Sequence, residues 1–289
     1  AKKCTNPGAG EFAIDFQFEH IGLDQQEGKE KWDLAPLSLV KLKACLAKWQ
    51  KELYQNGWNS LFWDNHDLPR IVSRWGDDGR YRTESAKMLA AVLHGMQGTP
   101  YIYQGEELGM TNVKFSDIRD YRDVETINMY YERMEAGYER EDVMRSIYAK
   151  SRDNARTPMQ WSRKMNAGFT AGTPWISVNP NYMQINAEAE MENPDSVYHF
   201  YKKLVHLRKE YPVFTDGEFR LLLPEDEAVF AYTRTDQKSR MLVCANFTGS
   251  TVKCPLTDEW KDAKTLIHNY AGEIGEELRP YEAVILLKE

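Results

Sequence analysis

The sequence lacks the long apolar run that a membrane-spanning helix requires. No stretch of the 289 residues approaches the roughly 20 apolar side chains that cross a bilayer, and the N-terminal AKKCTNPGAGEF has no signal-peptide core. Long basic runs are also missing, and a net charge of -7 gives no general attraction for phosphate backbones. We therefore expect neither a membrane nor a nucleic-acid partner.

Closely spaced cysteines are missing as well. Cys4, Cys45, Cys244 and Cys254 lie too far apart for a CxxC metal site. Reduced thiols in a cytoplasmic protein are the simplest interpretation, and we expect neither a metal ion nor another cofactor.

Three predicted strands end in polar side chains. FAIDFQF at 12–18 alternates in polarity and ends in Glu19, and WNSLFW at 58–63 ends in DNHD. TPYIYQ at 99–104 is followed by Gly105 and two glutamates. Because ligands of parallel α/β folds sit at the carboxyl ends of strands, these three ends indicate one shared site.

Helical spacing and turns complete the organisation. Apolar side chains at 39, 42, 46, 49 and 53 share one face of a predicted helix that begins after Asp33 and Pro36 and ends at Gly57. A second helix is expected near 83–97 with Gly98 as its end, and a third near 195–210. The segment 110–190 is too long for a plain connection and suggests a lid or rim. Its Trp161 and Trp175 are expected in the core, with contact to sugar CH groups as the alternative. Short strands after residue 217 predict a small all-β domain.

Three motifs carry a resemblance to a known family. NHD in FWDNHDLPRIVSRWGDD, then GTPYIYQGEELGMTN and RDNARTPMQW, resemble the α-amylase superfamily, glycoside hydrolase family 13. The similarity is greatest to its oligo-1,6-glucosidase subgroup, which includes dextran glucosidases and trehalose-6-phosphate hydrolases. The resemblance implies an α/β fold: a (β/α)₈ TIM barrel, an inserted subdomain and a C-terminal β-sandwich.

The resemblance also implies that much of the enzyme is missing. In the family, NHD follows the seventh barrel strand, whereas the nucleophilic Asp and the acid/base Glu follow the fourth and fifth strands. Neither the motif of the nucleophilic Asp nor that of the acid/base Glu is present in this sequence. We therefore expect a fragment: strands six to eight of the barrel in residues 1–215, with the 110–190 excursion, and the β-sandwich in residues 216–289.

Site residues follow by resemblance. Asp67 takes the role of the third carboxylate, which grips sugar hydroxyls near the developing oxocarbenium ion, with His66 as a hydrogen-bond donor beside it. Arg152 closes the non-reducing end of the pocket, since guanidinium groups match paired oxygens. Each role has a structural alternative: Asp67 suits a helix cap, and Arg152 suits a surface ion pair.

Weaker candidates complete the predicted sugar site. Glu125 and a lysine of EGKEKW, either Lys29 or Lys31, match positions that hold the second sugar in α-1,6-specific members, and a solvated charge is equally consistent with them. Arg70 is a candidate for the aglycone side or for a salt bridge to a nearby aspartate. Glu19 is a further candidate contact, and its strand end would allow a pair with Asp67 resembling the two carboxylates of a retaining glycosidase.

The expected function is hydrolysis of short α-glucosides, such as isomaltose, by a retaining mechanism. The chain itself is expected to be inactive and to self-associate through its open barrel edge. Trehalose-6-phosphate hydrolysis is the alternative substrate, and a non-catalytic carbohydrate-binding or bracing role is the alternative class.

Overall fold

A computed structural model describes residues 14–256 and 258–289. Residues 12 and 13 of the first predicted strand lie outside this part of the chain, as does Cys4. No helix among the described residues is long and apolar enough to cross a membrane.

The three predicted strands lie side by side and run parallel. Asp15 forms a parallel bridge with Asn59. Strand β1 (Ser60–Leu61) pairs in parallel with β2 (Thr99–Pro100). The ladders are shorter than the sequence predicts, because the chain after Tyr101 leaves the sheet and turns into the short 3₁₀ helix Glu106–Leu108.

The helices that flank these strands follow the apolar spacing. Helix α1 (Leu39–Leu53) begins after Ser38, whose hydroxyl accepts a hydrogen bond from the Lys41 N–H. Helix α2 (Ile71–Trp75) follows β1. Helix α3 (Arg82–His94) follows α2.

The predicted end of α3 at Gly98 is wrong. The helix ends at His94 and Gly95 caps it. A Cβ on Gly95 would lie 2.2 Å from the Tyr232 hydroxyl oxygen, so the C-terminal sheet needs a glycine at that point. Gly98 instead lies where the chain closely approaches the carbonyl oxygen of Asn59.

The 110–190 segment contains its own helices and a small core. Helices α4 (Val124–Glu135) and α5 (Arg140–Lys150) pack around Tyr121, Met129 and Ile147. Helices α6 (Asp153–Arg156) and α7 (Ala187–Glu192) follow.

The expected core positions of Trp161 and Trp175 are wrong, because both side chains are more than half exposed. Both lie in stretches without regular helix, between Arg156 and Ala187.

An antiparallel sheet forms the C-terminal part. Helix α8 (Val197–Glu210) confirms the third predicted helix, and α9 (Val213–Asp216) leads into the sheet. Its strands are β3 Glu218–Leu222, β4 Val229–Thr235, β5 Arg240–Asn246, β6 Val252–Lys253, β7 Lys264–His268, β8 Glu277–Leu278 and β9 Ala283–Lys288. The strand order is β3-β4-β5-β9-β7, with a separate antiparallel pair β6-β8.

One face of this sheet packs on the helices of the barrel part. Phe230, Tyr232 and Ile285 belong to the same buried cluster as the apolar faces of α1, α3 and α8. Alternate residues of the strands, such as Ala231 and Leu242, face a second cluster around Trp260. The all-β C-terminal part is confirmed, while a domain boundary at residue 216 stays a prediction, since the sheet and the helices share one core.

We predict that Gly98→Ala destabilises the chain by roughly 2 to 4 kcal/mol. Gly98 has a φ of 137°, and an added Cβ would lie 2.4 Å from the carbonyl oxygen of Asn59, where the two parallel strands meet. Gly137→Ala is the matched control: its φ of 85° is also positive, but no atom lies within 4 Å of the added Cβ. Chemical unfolding should show a clearly larger loss for Gly98→Ala, and equal losses would contradict the close-approach explanation.

Candidate active site

Asp67 lies in the turn between β1 and α2. The Asn65 side-chain oxygen accepts a hydrogen bond from the Asp67 N–H, and Asp64 Oδ2 accepts one from the Ile71 N–H at 3.0 Å. These two local bonds fix the turn at both ends. The Asp67 carboxylate is half exposed at the carboxyl end of the parallel strands.

Two arginines and a histidine meet the Asp67 carboxylate. Arg156 Nη2 lies 2.7 Å from Asp67 Oδ1, and Arg152 Nη1 lies 3.6 Å from the same oxygen. His66 Nε2 lies 3.4 Å from Asp67 Oδ2, and Arg156 Nε also donates to the His66 carbonyl at 2.8 Å. The structure thus brings together Asp67, His66 and Arg152, although their roles toward a sugar stay predictions.

A buried aspartate holds Arg152 in place. Arg152 donates to Asp123 Oδ1 from Nε and Nη2, at 3.1 and 2.6 Å, and Thr126 Oγ1 donates to Asp123 Oδ2 at 2.7 Å. Burial opposes ionisation of Asp123, but the hydrogen bonds from Arg152 and Thr126 outweigh it and lower its pKa. Asp123 is therefore a fixed anion that orients the guanidinium of Arg152.

Glu125 and Lys31 extend the cluster. Arg152 Nε lies 3.3 Å from Glu125 Oε2, and Lys31 Nζ lies 2.6 Å from the same oxygen. Lys29 is exposed, and the structure joins Lys31 rather than Lys29 to Glu125. We call Asp67, Asp123, Glu125, Arg152 and Arg156 the acid-arginine cluster.

Two members of the acid-arginine cluster, Arg156 and Asp123, were not predicted from the sequence. Arg156 follows Arg152 by four residues in RDNAR, a spacing that places side chains on one face of a helical turn. Asp123 directly precedes α4, where an aspartate is a favoured N-cap, and it accepts from the N–H groups of Glu125 and Thr126. Both signals were present, but each also has a purely local explanation.

Arg70 lies in the interior beneath the candidate site. Its side chain is only 1% exposed, and the guanidinium donates to the carbonyls of Gln104 and Ala155. It also lies over the Tyr103 ring, 5.2 Å from the centroid. Arg70 therefore supports the loops from inside, and a contact with the aglycone side of a sugar stays a prediction.

Glu19 is not brought to the cluster either. Its carboxylate binds Lys48 of α1 at 2.7 Å. The hydrogen bond from Lys48 lowers the pKa of Glu19, the opposite of what a general acid requires. The structure thus gives no support for a catalytic pair of Glu19 and Asp67, and Glu19 as a sugar contact stays an untested prediction.

The described residues contain no group of three or more His, Cys, Asp or Glu side chains arranged to hold a metal ion. The charges of the site instead compensate one another, since Lys31, Arg152 and Arg156 each contact carboxylates of the cluster.

We predict that Arg152→Gln lowers the free energy of unfolding by about 1 to 3 kcal/mol at pH 7. The ordinary pKa of Asp123 is 3.8, and its folded-state pKa is lowered. Its ion pair therefore stabilises the fold above that pH, and the stabilisation is lost as the pH falls through the lowered pKa. Urea unfolding from pH 7 to pH 3 should show the difference between wild type and variant shrinking in acid.

The exposed pair Arg145–Asp142 provides the control for this measurement. Arg145→Gln should change stability by less than about 0.5 kcal/mol at every pH, because exposed ion pairs contribute little. A pH-independent effect of Arg152→Gln would contradict the ion-pair explanation.

Comparison with known proteins identifies the family. Residues 1–217 match the family model described as alpha amylase, catalytic domain, and residues 229–285 match the alpha-amylase SusG C-terminal domain. The chain is 55% identical over 287 residues to an oligo-1,6-glucosidase of Parageobacillus thermoglucosidasius, covering 96% of this chain and 51% of that protein. It is 53% identical to an oligo-1,6-glucosidase of Bacillus cereus, covering 99% of this chain and 52% of the relative.

A solved structure agrees with these matches. The crystal structure of Bacillus licheniformis trehalose-6-phosphate hydrolase superposes with a TM-score of 0.95 at 49% identity, covering 99% of this chain and 53% of that one. The chain spans about half the length of the curated relatives it matches. A family match over residues 1–217, together with this degree of identity, shows that the chain belongs to the α-amylase family of glycoside hydrolases.

Proposed function

We propose that this chain supplies part of the sugar pocket of a retaining α-glucosidase that hydrolyses short α-1,6-linked gluco-oligosaccharides such as isomaltose. The observation that carries the proposal is the convergence of His66, Arg152 and Arg156 on the half-exposed carboxylate of Asp67. The oligo-1,6-glucosidase relatives favour the substrate class.

Asp67 can grip a sugar without breaking its bonds. A carboxylate accepts hydrogen bonds from two adjacent hydroxyl groups, and its negative charge stabilises an oxocarbenium-like transition state on the same ring. Arg156 and Arg152 hold Asp67 Oδ1, while Oδ2 faces His66. The arginines thereby fix the direction in which Asp67 presents its oxygens.

The cluster does not supply the two chemical agents of a retaining mechanism. Such a mechanism needs a nucleophilic carboxylate and a carboxylic acid about 5 to 5.5 Å apart. Near Asp67, the described carboxylates Asp123 and Glu125 are bound to Arg152, and the pKa of Asp123 is lowered. Asp67 and its partners would therefore bind and orient the sugar, and the cleaving groups belong to another part of the parent enzyme.

Trehalose 6-phosphate is the second candidate substrate, because the chain also resembles a trehalose-6-phosphate hydrolase. A phosphate needs cations that are not already neutralised. Lys31, Arg152 and Arg156 are each paired with a carboxylate, which favours the neutral isomalto-oligosaccharide at this part of the pocket. We also propose a cytoplasmic location, which fits the free thiols of Cys45, Cys244 and Cys254.

We expect the purified 289-residue chain to show no enzymatic turnover of isomaltose, p-nitrophenyl α-glucoside or trehalose 6-phosphate. In the complete gene product, if it is longer and active, Asp67→Asn should lower kcat/KM on isomaltose by at least about a hundredfold, because a charge that stabilises the transition state is lost. Glucose release is the measurement.

Glu19→Gln and Glu107→Gln are the controls for this assay. Turnover by the 289-residue chain that disappears in either variant would overturn the proposal and identify that glutamate as a catalytic acid. Unchanged kcat/KM in Asp67→Asn would remove Asp67 from the sugar site.

We also propose that the 289-residue chain self-associates. Phe16, Phe18, Tyr101 and Ile102 expose apolar side chains beside the parallel strands, and Phe16 and Tyr101 form an aromatic pair with ring centroids 4.9 Å apart. A contiguous exposed patch of this kind favours contact with a second apolar surface.

Phe18→Ser should shift sedimentation equilibrium of the 289-residue chain toward monomer. Its matched control is Tyr131→Ser, because Tyr131 is equally exposed but lies on α4. A monomeric wild-type chain at all concentrations, or equal effects of the two variants, would contradict association through this patch.

A further inference from the structure

Two carboxyl groups are buried together beneath the candidate site. Asp64 follows β1, and Glu106 begins the short helix that follows β2. Each side chain is 2% exposed, and the two carboxyl groups lie within hydrogen-bonding contact of each other. Neither group has a role in the sugar contacts described above.

A count of hydrogen bonds locates one missing proton. Asp64 Oδ2 accepts from the Ile71 N–H at 3.0 Å, and Glu106 Oε1 accepts from the Tyr201 hydroxyl at 2.7 Å. The other two oxygens, Asp64 Oδ1 and Glu106 Oε2, have no donor among the described residues. Two ionised carboxylates only accept hydrogen bonds, so their contact requires a proton on one of them.

The surrounding charges indicate which group carries the proton. Arg70 faces both carboxyl groups, and Arg74 faces Asp64. Burial raises the pKa of both carboxyl groups, but Arg70 and the Ile71 N–H oppose that rise at Asp64, whereas the adjacent charge of Asp64 adds to it and raises the pKa of Glu106 well above 4.5.

Arg74, Glu107 and His94 provide no free positive charge to the pair Asp64 and Glu106. Arg74 is bound to Asp24 through both Nε and Nη2. Burial raises the pKa of Glu107. Burial also lowers the pKa of His94, which stacks edge-on against Tyr201, to about 3, so its ring is neutral.

We propose that Glu106 is a neutral carboxylic acid that donates its proton to Asp64, and that this hydrogen bond positions the turn carrying His66 and Asp67. Asp64 closes the turn by binding the first N–H of α2. A charged Glu106 would repel Asp64 from that N–H and release the turn. Glu106 is thus a positioning residue, and only the consequence for sugars depends on the proposed function of Asp67.

Infrared spectroscopy of the complete gene product tests the proton directly. At pH 7 to 8, the difference spectrum between wild type and Glu106→Gln should show the C=O stretching band of one protonated carboxylic acid that the variant lacks. Glu190→Gln is the matched control, since Glu190 is also buried but pairs with Arg82. A wild type without the band, or a difference spectrum between wild type and Glu106→Gln without it, would overturn the proposal.

Unfolding at different pH values gives an independent readout. Because the folded state keeps a proton that the unfolded state loses above the ordinary value of 4.5, stability must fall as the pH rises. The Glu106→Gln variant keeps a hydrogen-bond donor and cannot ionise. As the pH rises, the folded-to-unfolded ratio of the wild type should therefore fall by up to about tenfold per pH unit relative to that of the variant. Parallel pH dependences of the two proteins would contradict a neutral Glu106.

The positioning role is tested by rescue. Glu106→Ala should speed hydrogen exchange of the Ile71 amide at least about tenfold and lower isomaltose turnover where the gene product is active, and Glu106→Gln should restore both. Equal defects in the two variants would overturn the positioning role. If the infrared band and the exchange data behave as expected while Asp67→Asn leaves turnover unchanged, the proposed function fails and the proton assignment stands.

Discussion

The buried guanidinium of Arg70 is the constraint on which the site depends. It donates to the carbonyls of Gln104 and Ala155, while the Arg70 N–H donates to the side-chain oxygen of Asn112 at 2.8 Å. One residue thus joins the turn after β1, the loop after β2 and helix α6. The turn carries Asp67 and the helix carries Arg156, so the geometry of the acid-arginine cluster follows from contacts made beneath it.

The charge of Arg70 is compensated locally. A buried cation without a partner would cost several kcal/mol, and among the carboxyl groups around it Asp64 favours the charge of Arg70 most. Asp64 in turn faces Glu106, which stays neutral under the same burial. The cation Arg70, the anion Asp64 and the neutral acid Glu106 together have a net charge close to zero. This explains why three ionisable groups can be buried together with almost no access to water.

The sequence predicted those features that depend on local spacing. The helices at 39–53 and 195–210 follow from apolar side chains on one face, and the polar strand ends from short apolar runs. The burial of Arg70 could not be read locally, because the carbonyls that it satisfies come from residues 104 and 155. The end of α3 likewise depends on Tyr232, which is 137 positions further along the chain than Gly95.

Charge environment divides the carboxyl groups of the site into two kinds. Asp123 lies beside arginine, has a lowered pKa and stays ionised, whereas Glu106 has a raised pKa but is shielded from solvent. Glu107 has a raised pKa and a partly exposed side chain. However, its carboxylate accepts a hydrogen bond from the Gly105 N–H, and the hydrogen bonds and ion pairs of the described residues do not join it to Asp67. A general acid needs a raised pKa, access to the substrate and a nucleophile across the sugar ring. Within the acid-arginine cluster these properties do not coincide, which agrees with the proposal that the cluster holds and orients a sugar rather than cleaving its bond.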